Sequence, residues 1–383
     1  MRKHGGKLLA LTLVVIIAFS LEKKLDLFSV MADAGQSSTM GQLESAMAKQ
    51  FQSRAEHFTL QYAGDKKQLS DTLQTTIRSS LAEDDYVAYI LDSYLYTIRS
   101  WGDRSTIKIE ARYRETPEQT AQVDETVKHA LAELLTPSMN DHQKVKVIHD
   151  WIVTRLDYDQ SLTRYTAYEA LATGKAVCQG YSLLGYKMLK EAGIPVLIAE
   201  GTVKTGDHAW NMVQLDGQWY HLDLTWDDPV VQGAEQTGSA SSRMQPIRYT
   251  YYLKTDKEMK ADHDWVKSYP PATASYGDKL RELGDGSRPD AKAYIQLKED
   301  IGLGWLEAER TIADRKALSQ TVLKQLAAKS VKFQFRYLPG ERLSEDLKAA
   351  FLAASIPVGY SASYEPYGND GSMLVSVEVS YSS

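Results

Sequence analysis

Gly206-Asp207-His208-Ala209-Trp210-Asn211-Met212-Val213-Gln214-Leu215-Asp216-Gly217-Gln218-Trp219-Tyr220-His221-Leu222-Asp223-Leu224 reads as two strands joined by a tight turn. Asp-Gly is a strong signal for a two-residue hairpin loop, because both turn positions need a positive φ. With Asp216 and Gly217 as that loop, Leu215 pairs with Gln218, and paired positions sum to one value along the hairpin. Trp210 then faces Asp223 and His208 faces Thr225. His208 and Asp223 therefore lie diagonally on one face, within reach of each other across the hairpin. A loop one residue longer or shorter would put them on opposite faces. A nucleophile needs a proton partner and something to orient it, and His208 with Asp223 could supply both.

The upstream stretch supplies one. Ala176-Val177-Cys178-Gln179-Gly180-Tyr181-Ser182 leads into a helix that packs through Leu183, Leu184 and Leu189 and closes at Gly193-Ile194-Pro195. Cys178 therefore sits at a helix N-terminus, where open N–H groups and the helix dipole favour a thiolate. The same N–H groups suit an oxyanion. Cys178 is the one cysteine of the chain, so internal disulfides and cysteine-rich zinc sites are excluded. Taken alone it would read as a small buried hydrophobe; its surroundings reverse that reading.

Together, the segment around Cys178, Gly206-Asp207-His208-Ala209-Trp210-Asn211 and His221-Leu222-Asp223-Leu224-Thr225-Trp226-Asp227-Asp228-Pro229 resemble the transglutaminase-like superfamily. They are most similar to bacterial exported members related to the kyphoscoliosis-type peptidases. The likeness extends to Lys146-Val147-Ile148-His149-Asp150-Trp151, Tyr158-Asp159, Tyr251-Tyr252-Leu253 and Asp262-His263-Asp264-Trp265, so it covers residues 140–268. It implies an α+β fold with a papain-like transglutaminase core. It also implies a triad in which Cys178 attacks an amide carbonyl, His208 moves the proton and Asp223 orients His208. The papain pattern has a glutamine six residues before the nucleophile, but position 172 is Ala172, which leaves the second oxyanion donor unassigned. Tyr168, Gln179 and Trp210 are candidates for the substrate cleft. His221 reads as a packing or hydrogen-bonding residue, Asp227 and Asp228 as capping a turn, and His149 and His263 as lacking a second ligand for a metal.

Outward from the core, smaller α+β units flank it on both sides. Leu69, Leu73, Ile77 and Leu81 recur at helical spacing. Ile107, Ile109, Ala111 and Tyr113 alternate with charged residues, as in a strand with one wet face. Thr116-Pro117-Glu118-Gln119 carries a capping box and opens a helix whose buried face is Val123, Val127, Leu131 and Leu134. A second helix follows from Asn140. The organisation expected is a leader over 1–34, a linker or weak helix over 35–56, an N-terminal unit over 57–139 and the core over 140–268. A linker over 269–290 and a C-terminal unit over 291–383 complete it. That last unit reads helix (313–328), strand (331–337), helix (344–354) and two strands, with Val331, Phe333, Phe335 and Tyr337 on the buried face. Residues 229–246, rich in Gly, Ser, Gln and Ala, read as a long surface loop.

Arg2, Lys3 and Lys7 precede an apolar run from Leu8 to Leu21, which fits a secretory signal and is short for a membrane span of roughly 20 residues. Export is expected, with the product either released or anchored to the membrane through residues 8–21. The net charge of -6 gives no reason to expect a nucleic-acid surface. No metal-ligand, P-loop or dinucleotide motif appears, and no cofactor is expected. The function expected is an exported cysteine acyl-transfer enzyme acting on peptide or protein amides, cell-wall peptides among them, with hydrolysis favoured over transamidation. The alternative is a catalytically silent binding or scaffold module at the cell envelope.

Overall fold

The computed structural model describes residues 36–228, 247–306, 310–354, 356–367 and 370–381. Both the leader and the 229–246 loop lie outside the described residues. Among the described residues, no helix is long and apolar enough to cross a membrane. Two compact units are present, Met1–Thr273 and Ala274–Ser383.

The first unit begins with α1 (Met40–Gln52), β1 (His57–Tyr62), α2 (Lys66–Leu81), α3 (Asp85–Ile90), β2 (Leu91–Trp101) and β3 (Arg104–Tyr113). The three strands form a sheet in the order β1-β3-β2. Its apolar face, with Leu60, Ile107 and Ile109, packs in one core with Leu69, Leu73 and Ile77 of α2. The wet face of β3 expected from alternation is there: Lys108, Glu110 and Arg112 are exposed. Of the linker and the weak helix expected over 35–56, it is the helix that forms, and α1 is part of the core, burying Leu43, Met47 and Phe51 in it. Leu43, Met47 and Phe51 lie at i, i+4 and i+8, one helical stripe diluted by the polar residues around it.

The core follows with α4 (Pro117–Leu134), α5 (Asp141–Arg155), β4 (Asp157–Tyr158), α6 (Ala167–Thr173), β5 (Lys175–Ala176) and α7 (Cys178–Glu191). Then come β6 (Val196–Val203), β7 (Gly206–Leu215), β8 (Gln218–Leu222), α8 (Leu224–Asp227), α9 (Asp256–Met259) and β9 (His263–Asp264). The capping box expected at Thr116/Gln119 forms, and Asn140/Gln143 makes a second one at the start of α5. Helix α4 packs against α6 and α7 and belongs with the core, across the boundary expected at 139/140. Four strands pair in the order β8-β7-β6-β9, and α7 lies against β6 and β7. Helix α7 is apolar nearly all round, with Tyr181, Leu183, Leu184, Met188 and Leu189 fully buried, as a helix at the centre of a domain must be.

The second unit contains α10 (Tyr276–Leu283), α11 (Ala291–Asp300), β10 (Thr311–Ile312), α12 (Arg315–Ala327), β11 (Lys332–Tyr337), α13 (Leu343–Ala354), β12 (Val358–Tyr367) and β13 (Ser372–Tyr381). Its sheet runs β10-β11-β13-β12, with α12 and α13 packed on one another. Residues 269–290 are more than a linker, since α10 buries Tyr276, Leu280 and Leu283. Phe333, Phe335 and Tyr337 are buried as expected, whereas Val331 is 68% exposed because it precedes the strand.

Candidate active site

Cys178 is the first residue of α7, half-buried, behind an extended N-cap residue, Val177, whose side chain offers no cap. The N–H groups of that first turn therefore have no capping side chain to satisfy them. The approach to the helix is held from both sides. Val177 N–H donates to the Arg164 carbonyl at 2.9 Å, and the Gln179 side-chain amide donates to the Tyr89 carbonyl at 2.5 Å. The loop carrying Arg164 is itself wound around Asp159, whose carboxylate accepts from Ser161, Thr163 and Arg164.

The hairpin forms in the expected register, with Leu215 opposite Gln218 and Asn211 opposite Leu222. Asp216 (φ +49°) and Gly217 (φ +78°) make the turn, both in the left-handed region. The strand ends at Leu222, and Asp223 becomes the N-cap of α8, accepting through Oδ1 from Thr225 N–H at 2.9 Å and Trp226 N–H at 3.1 Å. Its Oδ2 is left to face His208 Nε2 at 2.7 Å. The Cys178 thiol also interacts with this imidazole, and with Nε2 on Asp223 the nitrogen left for it is Nδ1. Cys178, His208 and Asp223, named together from the sequence, lie side by side.

Burial opposes charge on His208, but the charge and hydrogen bond of Asp223, followed by those of Cys178, push its pKa up to about 10. Burial would also raise Asp223. The imidazoles of His208 and His263 outweigh it and hold the carboxyl well below the usual carboxylate range. The pair is thus poised as imidazolium and carboxylate.

His263 was not assigned a role from sequence. It lies on β9, fully buried, with Nε2 3.1 Å from Asp223 Oδ2 and Nδ1 2.6 Å from Asp262 Oδ1. The signal was present in Asp262-His263-Asp264-Trp265, but nothing in the spacing ties position 263 to 223. Among the described residues, His208, Asp223 and His263 are the group whose ligand atoms cluster closely enough for a metal. Hydrogen bonding accounts for their positions, because both ring nitrogens meet the same carboxylate oxygen.

The cleft candidates fare less well. Trp210 is 1% exposed, stacked against His208 at 5.9 Å and donating from Nε1 to His221 Nδ1 at 2.9 Å. It is a wall behind the base and does not line a groove. Gln179 spends its amide on Tyr89, which makes it a tether between α7 and α3. Tyr168 is half-buried on α6, and its N–H donates to Glu115 Oε2 at 3.2 Å. His221 is a buried hydrogen-bonding residue as expected, between Trp210 and Asp256. Asp227 and Asp228 are buried acceptors, of His149 and the Tyr251 N–H in one case and of the Tyr181 hydroxyl in the other. A cleft of about 1030 Å³ lies over the wet face of β2 and β3 and is lined by Thr163, Tyr165 and Glu169 among others, but by none of the triad.

Residues 128–224 match the Transglutaminase-like superfamily, a span that takes in Cys178, His208 and Asp223. The chain is 30% identical over 154 residues to the kyphoscoliosis peptidase of Mus musculus, covering 34% of this chain and 23% of that protein. It is 30% identical over 119 residues to the Homo sapiens kyphoscoliosis peptidase, covering 26% of this chain and 18% of that one. The matches thus span less than a quarter of the length of these relatives. A crystal structure of a TGase is similar over 65% of this chain and 70% of its own, at 11% identity and a TM-score of 0.27. The chain is an α+β protein that carries a transglutaminase-like core, distantly related to the kyphoscoliosis peptidases.

Proposed function

We propose that this protein is an exported cysteine acyl-transfer enzyme that cleaves peptide or protein amides through a thioester. The observation that carries the reading is the half-buried Cys178 at an uncapped helix N-terminus, next to a His208 held by Asp223. In this mechanism the Sγ proton already rests on the His208 imidazolium, and the Cys178 thiolate beside it attacks the amide carbonyl carbon. The resulting oxyanion is met by N–H groups of the first turn of α7. Collapse breaks the C–N bond, and the leaving amine takes the proton from His208. Water then attacks the thioester, giving one proton to His208, and the carboxylic acid leaves as the C–S bond breaks, which restores the thiolate beside the imidazolium. An amine in place of water would give transamidation. Hydrolysis is the favoured outcome because water needs no binding site of its own. Trp210 and Trp226 stand around the His208 ring and keep bulk water from its far side.

The test is the rate of Cys178 alkylation by iodoacetamide as a function of pH, in the wild-type and in His208→Ala. An ordinary thiol is almost fully protonated at a pH of about 6. Rapid alkylation there, lost in the variant, supports a coupled Cys–His pair. A Cys178 indifferent to His208 would sink the enzyme reading and leave a binding module built on a catalytic fold.

A further inference from the structure

We infer that His263 is a positioning residue of this site: it holds the same Oδ2 of Asp223 that faces His208, so that this oxygen stays aimed at the base. The inference rests on the proposed reading of the triad and extends it to a residue 40 positions downstream of Asp223.

Asp223 is buried with no exposure, and each of its oxygens carries two donors: Thr225 N and Trp226 N on Oδ1, His208 Nε2 and His263 Nε2 on Oδ2. Removal of His263 would turn one side of Oδ2 toward aromatic carbon. The rings of Trp226, Trp210 and Tyr251 surround the imidazole at 4.6, 5.2 and 5.4 Å. A buried carboxylate with a missing partner rotates to find another or recruits a proton, and either response degrades the aim at His208. His263 is itself held. Asp262 Oδ1 faces its Nδ1, and Asp262 Oδ2 accepts from the Tyr251 hydroxyl. Each ring nitrogen of His263 thus faces a carboxylate oxygen. The run Asp262, His263, Asp223, His208, Cys178 is one connected chain of polar contacts. His221 is the other titratable group whose charge senses His263.

The backbone is fitted to this contact. Strand β9 pairs with β6 through Val203–His263 and Thr202–Asp264. At Gly201 a Cβ would lie 2.0 Å from the Asp264 carbonyl oxygen and 2.9 Å from Trp210 Cη2. Only a glycine lets β9 come close enough for His263 to reach Asp223.

The full chain tests this without a known substrate, because its one cysteine makes alkylation by iodoacetamide unambiguous. His263→Leu is expected to move the acid limb of the alkylation profile up by about one pH unit, a slowing of about tenfold near pH 6. His263→Gln, whose amide N–H reaches the place of ring Nε2, is expected to recover the rate to within about threefold of wild-type. An unchanged acid limb in His263→Leu, alongside its loss in His208→Ala, overturns the inference and leaves the proposed function standing. Equal damage from Leu and Gln also overturns it, since the donor would then be irrelevant. A profile indifferent to both histidines removes the proposed function and this inference together. If His263→Leu does not fold, Asp262→Ala carries the test, because Asp262 is 37% exposed and tolerates truncation. It should shift the limb in the same direction by a smaller amount, about threefold in rate, and an unmoved limb overturns the inference.

Discussion

Helix α8 carries two buried aspartates one turn apart, and each holds a histidine, yet they do opposite things. Asp223 meets His208 at 2.7 Å, and Asp227 meets His149 Nε2 at 3.2 Å. His149 is fully buried, with its Nδ1 on Asp150 at 2.9 Å and its ring between Tyr249 and Tyr252. Burial pushes the Asp227 carboxyl up, despite His149 and the Tyr251 N–H. The same burial fails to raise Asp223, which has two imidazoles and two cap N–H groups on it. His149 is raised in spite of its burial by Asp150 and then by Asp227. Charge on His149 leans on Asp150, which Lys146 and the Tyr249 hydroxyl also support and which stays below the usual carboxylate range. The lesson is that a histidine–carboxylate pair is not in itself a catalytic signature. The number of donors on the carboxylate sets its charge, and what lies at the far nitrogen of the ring sets its use. At His208 that is a half-exposed thiol; at His149 it is a second carboxylate.

The sharpest way to break this comparison is to remove each histidine and read Cys178. His208→Ala is expected to slow alkylation near pH 6 by about a hundredfold, and His149→Ala by less than about threefold. Comparable losses from both would mean that the two pairs act as one network. Stability should order the other way. After His208→Ala, Asp223 still accepts from Thr225, Trp226 and His263, so a cost of about 1–3 kcal/mol is expected. After His149→Ala, Asp227 keeps the Tyr251 N–H alone of the partners described above, and about 3–5 kcal/mol should be lost, read as a shift in urea midpoint at constant slope. A smaller third effect concerns pH. His208 is raised to about 10 in the folded chain, from an unfolded value near 6.5. The native state then binds more protons than the unfolded state between these values, so the contribution to stability is complete below about pH 6.5 and is lost as pH rises toward 10. Urea midpoints measured across that window should fall in the wild-type and fall less in His208→Ala. A flat wild-type curve would show that the proton does not reside on this pair.

What the sequence made legible is unequal, and the reasons are physical. The hairpin register was legible because Asp216-Gly217 admits one short turn, and a period of two then fixes every face. The triad followed from that register and from a cysteine at the start of an apolar helix. Helix α1 was missed as a core element because its buried residues, spaced by four, stand among Gln, Ser and Lys, which dilute the stripe. Trp210 was misplaced in the cleft because alternation gives a face without telling which layer covers it; Ala199, Met212, Met259 and Ala272 pack around it. His263 was out of reach for a different cause. Its partner is set by β9 pairing with β6, a contact between segments 60 residues apart in which the strand is two residues long. So short a strand leaves no periodicity to read.

The smallest expected effect tests the hairpin on which the site depends. Asp216 and Gly217 already adopt the positive φ values of a primed turn. Asparagine tolerates that region at least as well as aspartate, so Asp216→Asn should leave the register, and with it the His208–Asp223 contact, untouched. What the change alters is the charge facing His142 Nε2, 3.4 Å from Asp216 Oδ2, on a carboxylate 44% exposed to solvent. Solvent screens an ion pair of that kind, and a stability change within about 0.5 kcal/mol is expected, with the pH profile of Cys178 alkylation unchanged. A shifted profile would mean that the α5 contact at the turn, and not the turn geometry, holds the hairpin in register. The placement of His208 opposite its carboxylate would then depend on His142 as well as on the loop.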